Sequence, residues 1–436
     1  MKKLILLCCA ALLAVSAPAQ TGYVPAPENL AARARFADDR FGIFIHWGLY
    51  ALMGQGEWVM TNLDINYREY EKLAGAFYPA AFDAAAWVTA FREAGARYVC
   101  FTTRHHDGFS MFRTAQSPYN VVEATPFARD IVRELAEECH RQGLRVHFYY
   151  YYSLIDWWRE DAPRGRTGLG TGRPAEREDA DAYFDFMKAQ LTELLTQYGP
   201  VGAIWFDGVW DQDQHPDFDW RLDELYGLIH RLQPACLVVN NHHLAPFEGE
   251  DVQTFERDLP GENTAGLSGQ AVSRLPLETC QTMNGSWGYR ITDRNYKSTD
   301  ELIRYLAGAA GRGGNLLLNV GPQPDGRLPE EATERLAGIG EWLHTCGETI
   351  YGTDAGPVAP RNWGVTTRRG DKIYLHILDW EDEELFVPIR NERIRRAVRF
   401  ADGEKLAFRQ DAHGVTVVLG SRPQGPDCIV ELTVGR

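Results

Sequence analysis

Several segments with the pattern of buried strands are followed at once by residues that can carry chemistry. These strand ends are His46-Trp47, Arg104-His105-His106-Asp107, Tyr151-Tyr152-Ser153, Trp205-Phe206-Asp207, Asn240-Asn241-His242-His243 and Glu256-Arg257. The carboxyl ends of parallel strands converge on one rim of a barrel. Two carboxylates among imidazoles and aromatic faces suit hydrolysis of a glycosidic bond. In that reaction one carboxylate attacks the anomeric carbon, and the other protonates the leaving oxygen.

Other chemistries fit these residues less well. His105 and His106 suggest a metal, but adjacent residues of a strand point to opposite faces and make a poor chelate. A neutral imidazole offers one donor and one acceptor, which suits the hydroxyls of an uncharged ligand. Gly313-Gly314 precedes a predicted strand, whereas a dinucleotide-binding loop follows one. We therefore expect neither a metal nor another cofactor.

The elements that must position these residues alternate along the chain. Continuous apolar runs predict parallel strands at residues 41–46, 97–103, 144–153, 201–206, 236–240, 252–255, 278–283 and 316–320. Periodic segments predict helices at residues 83–94, 130–142, 181–198, 220–232, 299–310 and 330–344. This alternation is typical of a (β/α)8 TIM-like barrel. Residues 244–276 lack helix signals, so we expect an irregular barrel there.

The pattern changes after residue 352. Short β-rich segments at residues 372–378, 384–389, 397–400, 415–419 and 428–434 are separated by turn signals such as Asp402-Gly403. Their spacing predicts a small all-β sandwich. We therefore predict a catalytic barrel over residues 20–352 and a C-terminal β-sandwich domain over residues 353–436.

Residues 1–19 have the layout of a secretory signal peptide, with a positive start, an apolar run and a cleavage site at Ala17-Pro18-Ala19. They predict export to the periplasm or the exterior. A lipoprotein anchored through Cys8 or Cys9 ranks second, because neither cysteine follows a small residue. No later run approaches the roughly 20 apolar residues that a membrane-spanning helix needs. The other cysteines show no CxxC pair, so we expect buried free thiols.

The composition limits the partners. The chain has 436 residues with 45 basic and 60 acidic side chains, a net charge of -15. Such a surface repels phosphate backbones and anionic membranes, so we expect no nucleic-acid partner. The 12 Trp, 19 Tyr and 20 Phe suit sugar binding, although a large core explains the same composition. The sequence leaves the oligomeric state open.

Longer motifs surround the strand ends. In chain order they are Phe41-Gly42-Ile43-Phe44-Ile45-His46-Trp47-Gly48, Glu57-Trp58, Arg104-His105-His106-Asp107-Gly108-Phe109, Trp205-Phe206-Asp207-Gly208, Glu278-Thr279-Cys280, Ser286-Trp287-Gly288-Tyr289 and Leu318-Asn319-Val320-Gly321-Pro322. This series resembles the α-L-fucosidases of glycoside hydrolase family 29 over residues 25–352. The resemblance implies a retaining exo-enzyme that removes terminal α-L-fucose from oligosaccharides or glycoconjugates through a covalent fucosyl-aspartate.

The resemblance also implies roles for individual residues. Asp207 matches the nucleophile. The positions that bind the fucose ring match His46, Glu57, Trp58, His105, His106, Tyr151 and Trp205, and Trp287 is a further candidate beside the sugar. Within the tyrosine run at residues 149–152 we choose Tyr151, because it lies near the strand end and shares a face with Ser153.

The acid/base has two candidates. Gln253-Thr254-Phe255-Glu256 resembles the family segment that ends in Thr-Pro-Glu, with Phe255 in place of the proline. Glu278 is the rival, but it begins an apolar strand and is more easily a buried, paired carboxylate. We therefore favour Glu256. Arg257 would then contact the sugar or keep a carboxylate ionised.

Two other functions stay open at this point. The same mechanism could act on α-L-galactosides, which differ from fucosides by a hydroxyl at C6, and packing by Trp58 or Trp287 would decide between them. The chain could instead be a catalytically inactive fucose-binding protein. Retention of both Asp207 and Glu256 argues against that, since a lectin needs no nucleophile.

Overall fold

The computed structural model describes residues 22–151, 170–172, 180–213, 218–379, 382–420 and 425–435. Its largest sheet has eight parallel strands: β1 (Phe41–Ile45), β2 (Tyr98–Arg104), β3 (Arg145–Tyr151), β4 (Ala203–Asp207), β5 (Leu237–Asn241), β6 (Gln253–Glu256), β7 (Leu277–Thr282) and β8 (Gly314–Val320). Their order across the sheet is β5-β4-β3-β2-β1-β8-β7-β6. A bridge between Val239 and Val252 joins the two edges. The sheet is therefore a nearly closed barrel, as predicted.

The barrel is irregular where β5 faces β6, a boundary that we call the seam. β5 pairs with β4 along its whole length, but the seam carries only the bridge between Val239 and Val252. No helix connects β5 to β6 or β6 to β7, and every residue of this stretch is described. The irregularity expected from residues 244–276 is confirmed.

Most barrel strands are apolar on both faces, as expected for parallel strands covered on both sides, whereas β6 and β7 are mostly polar. Every residue of β1, β2, β5, β7 and β8 is buried. Gly42 on β1 has a specific packing reason, since a Cβ atom there would lie 2.4 Å from the ring of Tyr98. Tyr98 therefore lies across this glycine, and its hydroxyl donates to Glu278 inside the barrel at 2.7 Å.

Helices pack around the sheet. In the described residues they are α1 (Pro27–Asp39), α2 (Val59–Asn62), α3 (Tyr67–Tyr70), α4 (Ala84–Glu93), α5 (Ile131–Gln142), α6 (Ala180–Gln197), α7 (Leu222–Leu232), α8 (Thr299–Gly311) and α9 (Glu330–Cys346). Side-chain caps fix the starts of α4 at Asp83 and α5 at Asp130, and Ser298 with Glu301 forms a capping box on α8. The six helices predicted from periodicity are all present.

Helix α1 was not predicted. Its sequence alternates charged and small residues without a clear apolar stripe. It packs at the amino ends of the strands, where the Phe36 ring lies 5.3 Å from the Tyr98 ring and the Phe36 carbonyl accepts a hydrogen bond from Asn315. Arg33 forms an ion pair with the buried Asp251. Tertiary contacts therefore stabilise this helix more than local propensity does.

The chain then forms two antiparallel sheets. Their strands are β9 (Asp354–Ala355), β10 (Gly364–Arg369), β11 (Lys372–Ile377), β12 (Glu384–Val387), β13 (Ile394–Arg399), β14 (Phe408–Gln410), β15 (Val415–Val418) and β16 (Cys428–Val434). One sheet has the order β13-β16-β11-β10-β9 and the other β12-β15-β14. Side chains from both sheets, among them Leu375, Val387, Val415 and Leu432, share one core. The all-β architecture is confirmed, although β9, β10 and β14 were not predicted.

A buried polar cluster joins this second core to the barrel. The Thr367 hydroxyl of β10 donates to the Thr349 carbonyl, just after α9, at 2.7 Å. His376 Nε2 lies 3.1 Å from the same hydroxyl, and His376 Nδ1 lies 2.6 Å from an oxygen of Asp427. Because the threonine proton is already used, its oxygen accepts from Nε2–H of His376.

The remaining predictions concern thiols, membranes and the leader. The described cysteines are free, with Cys100, Cys139, Cys236 and Cys280 buried as expected. Burial raises the pKa of each of these thiols. No helix in the described part of the chain is long and apolar enough to span a membrane. The predicted signal peptide, residues 1–19, lies outside the described residues.

Candidate active site

A cavity of about 350 Å³ lies at the carboxyl ends of the barrel strands. It is lined by Phe44, His46, Glu57, Trp58, His105, Tyr149, Trp205, Asp207, Trp210, Asn241, His243, Glu256, Leu267, Cys280 and Trp287. Apolar walls with a few convergent polar groups are typical of small-ligand sites. Four predicted site residues are not among the described lining residues: His106, Tyr151, Arg257 and Glu278.

Asp207 is the last residue of β4. Tyr149 donates its hydroxyl proton to Oδ2 at 3.0 Å, and the Gly208 N–H donates to Oδ1 at 2.8 Å. Burial, together with the charge of Glu256, raises the pKa of Asp207 to about 7, although His243 and the two donors act in the opposite direction. The two donors hold the carboxylate in one orientation, which an attacking group requires.

Tyr149 occupies the place in the cavity wall that we expected for Tyr151. Both side chains lie on the same face of β3, because they are two residues apart. Tyr149 reaches Asp207, whereas Tyr151 stacks on the His105 ring at 5.3 Å and meets the edge of Trp58 at 6.5 Å. The structure thus places Tyr149 against Asp207 on the predicted face of the strand, and the sugar-binding role assigned to Tyr151 stays a prediction.

Glu256 ends β6 and faces Asp207 across the cavity. Its Oε2 accepts from Asn241 Nδ2 at 2.9 Å and lies 3.0 Å from His243 Nε2. Burial raises the pKa of Glu256, but the hydrogen bonds from His243 and Asn241, with the charges of His243 and Arg257, outweigh burial and leave the pKa below its ordinary value. Two carboxylates with opposite pKa shifts therefore share one cavity.

Glu278, the rival acid/base candidate, lies beneath the cavity. It is fully buried and accepts from the Tyr98 hydroxyl at 2.7 Å and from Trp205 Nε1 at 2.8 Å. Burial raises its pKa to about 7. Because both oxygens are bound to groups of the barrel interior, Glu278 supports the Trp205 ring from below. The geometry favours Glu256 as the carboxylate that meets a substrate.

His46 at the end of β1 is held as a neutral donor and acceptor. Asn319 donates its amide to the Trp287 carbonyl, so its Oδ1 accepts from His46 Nδ1–H, at 2.7 Å. Burial lowers the pKa of His46 to about 4. Nε2 is therefore the acceptor nitrogen of this ring. A neutral imidazole in this wall suits a hydroxyl rather than an anion.

The neighbouring imidazoles face each other instead of pointing to opposite faces. His105 Nδ1 and His106 Nδ1 are 2.6 Å apart. They lie beyond Arg104, where β2 ends, so strand alternation no longer applies to them. Burial lowers the pKa of both rings. In the part of the chain that the structure describes, no group of three or more His, Cys, Asp or Glu side chains is arranged to hold a metal ion.

Trp58 and Glu57 close the wall next to these imidazoles. Trp58 lines the cavity and stacks on His106, with ring centroids 4.0 Å apart and planes 15° apart. Glu57 Oε2 accepts from the Gly288 N–H at 2.7 Å. Burial raises the pKa of Glu57, against the effect of that hydrogen bond. His106 thus contributes by supporting Trp58.

Trp287 and Arg257 lie on the other side of the acid/base candidate. The Arg257 guanidinium is 5.4 Å from the centre of the Trp287 ring, a cation–π distance. Arg257 does not line the cavity, but its charge lowers the pKa of both Glu256 and Glu57. Its contribution is therefore electrostatic, with Trp287 as the surface that faces the cavity.

Several lining residues were not assigned from the sequence. Asn241 and His243 were visible as polar residues after a predicted strand, but no motif gave them a role. Trp210 follows Asp207 in a short 3-10 helix, and Leu267 comes from the long connection between β6 and β7. Loop residues such as these carry no periodic signal that would place them beside a site.

A model of one protein family matches most of the chain. Residues 10–348 match the family described as alpha-L-fucosidase. A curated relative, plasma alpha-L-fucosidase of Rattus norvegicus, is 30% identical over 400 residues, covering 82% of this chain and 80% of the relative. The chain belongs to the alpha-L-fucosidase family.

Solved structures of α-L-fucosidases have the same fold. Isoenzyme 1 from Paenibacillus thiaminolyticus is 33% identical, with a TM-score of 0.81 over 94% of this chain and 100% of that one. A family 29 α-L-fucosidase from Bacteroides thetaiotaomicron, 26% identical with a TM-score of 0.78, covers 96% of this chain and 98% of its own. That protein was trapped as a covalent intermediate with 2-fluoro-fucosyl fluoride in a variant with glutamate replaced by glutamine.

The cavity is thus the site of a glycoside hydrolase. This α-L-fucosidase of family 29 hydrolyses fucosides with retention, which requires a carboxylate nucleophile and a second group that serves as acid and base. The matches give no support to an α-L-galactosidase or to an inactive fucose-binding protein. Substrate binding in this fold takes place at the carboxyl ends of the strands, where Asp207 and Glu256 lie.

Proposed function

We propose that Asp207 is the nucleophile and Glu256 the acid/base with which this α-L-fucosidase removes terminal fucose from oligosaccharides or glycoconjugates. The observation that carries the assignment is that both carboxylates line one cavity, each held by two hydrogen-bond donors. The Bacteroides relative trapped as a covalent intermediate carries a glutamate-to-glutamine change, which fits a glutamate as its acid/base.

The chemistry proceeds in two steps. First, a carboxylate oxygen of Asp207 bonds to the anomeric carbon while the bond to the leaving oxygen breaks, and that oxygen takes the proton of Glu256. Then Glu256 takes a proton from water, the water oxygen bonds to the anomeric carbon, and the bond to Asp207 breaks. The configuration at the anomeric carbon inverts in each step, so the product has the configuration of the substrate.

The walls suit fucose because they pair neutral polar groups with aromatic faces. The neutral rings of His46 and His105 offer donors and acceptors to hydroxyls. The aromatic rings of Phe44, Trp205 and Trp287 offer surfaces to C–H groups and to the methyl group at C6. A sugar without charge is bound in this way without an ionic partner.

The nucleophile is tested by covalent labelling. Incubation with 2-fluoro-fucosyl fluoride, proteolysis and mass spectrometry should place the fucosyl group on Asp207. Asp207→Ala should remove turnover and labelling while leaving the fold intact, and Asp213→Ala, at an exposed position of the same loop, is the control. A label on another carboxylate, or near-normal turnover in Asp207→Ala, would falsify the assignment.

The acid/base is tested by leaving-group dependence. Glu256→Ala should spare 4-nitrophenyl fucoside far more than a fucosylated oligosaccharide, because an alkoxide leaving group needs the proton and nitrophenolate does not. Glu278→Ala is the matched comparison. If Glu278→Ala shows that pattern and Glu256→Ala does not, the two assignments exchange.

Substrate class is read from the rates on three 4-nitrophenyl glycosides. The α-L-fucoside should be cleaved in preference to the α-L-galactoside and the β-D-fucoside, and EDTA should leave the rate unchanged. Preference for the galactoside, or loss of activity with EDTA, would overturn the sugar assignment or the metal-free mechanism respectively.

Export follows from the leader. The layout of residues 1–19 supports cleavage after Ala19 and release to the periplasm or the exterior. Mass spectrometry of the mature protein should find Gln20 at the amino terminus. A lipidated Cys8 or Cys9 at that terminus would instead establish the anchored form.

A further inference from the structure

Glu256 contacts the protein through one of its two oxygens. His243 Nε2 and Asn241 Nδ2 both lie within hydrogen-bonding distance of Oε2, at 3.0 and 2.9 Å. Among the described residues no hydrogen bond reaches Oε1. Because Glu256 lines the cavity, Oε1 is the oxygen left for the glycosidic bond, and the two donors act on it through the carboxyl group.

The backbone that carries His243 is itself constrained. His243 has a φ of 63°, in the left-handed region that residues other than glycine seldom adopt. The loop behind it is fixed by Glu250, which accepts from the Tyr226 hydroxyl at 3.0 Å and the Phe247 N–H at 3.1 Å and lies 3.0 Å from His242 Nε2. The surroundings therefore hold a strained residue against Glu256, an arrangement found where geometry serves function.

Several charged or titratable groups act on this pair from the surrounding elements. They are Asp207 on β4, Arg257 after β6, Cys280 on β7, His46 after β1 and Glu57 before α2. Burial lowers the pKa of His243, but the hydrogen bond and charge of Glu256 with the charge of Asp207 outweigh burial and raise it above its ordinary value. Each partner of the pair therefore stabilises the charged form of the other.

We propose that His243 is a positioning residue that fixes Glu256 and makes it a stronger acid by stabilising the carboxylate formed as the leaving oxygen takes its proton. This inference rests on the acid/base role proposed for Glu256. In that step the C–O bond breaks, its electron pair and the proton of Glu256 go to the leaving oxygen, and Asp207 bonds to the anomeric carbon. Negative charge grows on Glu256 beside Nε2–H, and His243 keeps its own protons throughout.

The test uses His243→Gln, which keeps an N–H donor without the charge, and His243→Phe, which removes both. Without the donor and the cation, Glu256 holds its proton to higher pH. The alkaline limb of kcat/KM for a fucosylated oligosaccharide should therefore move upward by about one pH unit or more in His243→Phe, and by less in His243→Gln. At the pH optimum, kcat/KM of the variants for the oligosaccharide should fall at least about tenfold, and kcat/KM for 4-nitrophenyl fucoside should fall much less.

Two controls separate this inference from the role of Glu256. His230→Phe removes a comparable contact with a carboxylate, 2.8 Å from Asp251 and outside the cavity, and should leave the alkaline limb where it is. If Glu256→Gln shows the leaving-group pattern but neither His243 variant moves the limb, the inference alone is overturned. If Glu256→Gln lowers kcat/KM equally for both substrates, the acid/base role of Glu256 is wrong, and the inference that rests on it is wrong as well.

Discussion

A chain of side chains connects a buried acid to the proposed nucleophile. Glu278 accepts from Trp205 Nε1, and the Trp205 ring stacks on Tyr149 with centroids 5.6 Å apart and planes 20° apart. Tyr149 then donates to Asp207 at 3.0 Å. The orientation of the Asp207 carboxylate, the proposed nucleophile, is therefore set from beneath the cavity as well as from its walls.

At this scale we predict that Tyr149→Phe lowers kcat/KM roughly 10- to 100-fold on fucosides. The lost hydrogen bond is to a charged group, and such bonds contribute about 1.5–3 kcal/mol. Tyr151→Phe should change kcat/KM only a few-fold, because the substitution keeps the ring that stacks on His105. Steady-state kinetics of the two variants test this prediction, and a larger decrease of kcat/KM in Tyr151→Phe than in Tyr149→Phe would contradict it.

The raised pKa of Glu278 predicts a pH-dependent stability. Between its ordinary pKa of 4.5 and its folded value of about 7, the folded protein holds a proton that the unfolded chain has lost. The stabilisation is complete below about pH 4.5 and is lost as the pH rises through 7, with a slope of at most about 1.4 kcal/mol per pH unit.

Glu278→Gln is neutral at every pH and should remove that slope. Urea unfolding at several pH values should show that the free energy of unfolding of the variant increases relative to that of the parent as the pH rises from about 5 to 7. Above that range the difference should stay constant. A difference that stays constant with pH would show that Glu278 is ionised in the folded protein.

The sequence placed some site residues better than others for a physical reason. Asp207 and Glu256 are the last residues of their strands and His46 directly follows one, and a strand end fixes both the rim and the direction of a side chain. The sequence did not show which tyrosine contacts Asp207, because Tyr149 and Tyr151 lie on the same face of the strand and differ only in their depth within the barrel. Depth depends on the stagger between strands, which one sequence does not specify.

At the scale of elements, prediction succeeded where local and tertiary forces agree. Barrel strands such as β1 are continuous apolar runs, and helices such as α5 carry both an aspartate cap at Asp130 and a glycine at Gly143. Helix α1 and strand β10 lack such signals. They are stabilised by packing against the barrel and the second core, that is, by contacts with residues that are distant in the sequence.

Gly42 on β1 gives a prediction for an element. An alanine Cβ would lie 2.4 Å from the Tyr98 ring, so Gly42→Ala should lower the free energy of unfolding by about 1–3 kcal/mol. Gly75→Ala, with nothing within 4 Å of its Cβ, should leave it nearly unchanged. Denaturant unfolding compares the two variants. Equal stabilities would mean that Tyr98 moves aside without cost.

At the scale of the molecule, the His376 cluster ties the two cores together. The His376 and Asp427 side chains are fully buried, and Thr367 links them to the carbonyl of Thr349. Removing one partner of a buried hydrogen bond leaves the other polar group unsatisfied, which costs about 1–3 kcal/mol and more where that group is charged.

Asp427→Asn should therefore lower the free energy of unfolding by several kcal/mol while the folded protein keeps its kcat. Asp402→Asn breaks an ion pair with Arg399 whose acid is 53% exposed, and it should leave the free energy of unfolding nearly unchanged. Thermal and denaturant unfolding provide the measurement. A small loss in Asp427→Asn would show that the cluster does not hold the two cores together.

The seam passes through the proposed site. Glu256 ends β6, which pairs with β7 along its whole length, and His243 follows β5, which pairs with β4. Across the seam the two strands share a bridge between Val239 and Val252, and Glu256 meets His243 through side chains. We therefore expect exchanges in the connection between β5 and β6 to change the surroundings of Glu256 while the strands that carry Asp207, His46 and Trp205 keep their pairing, which makes this connection the place to engineer a new leaving-group preference.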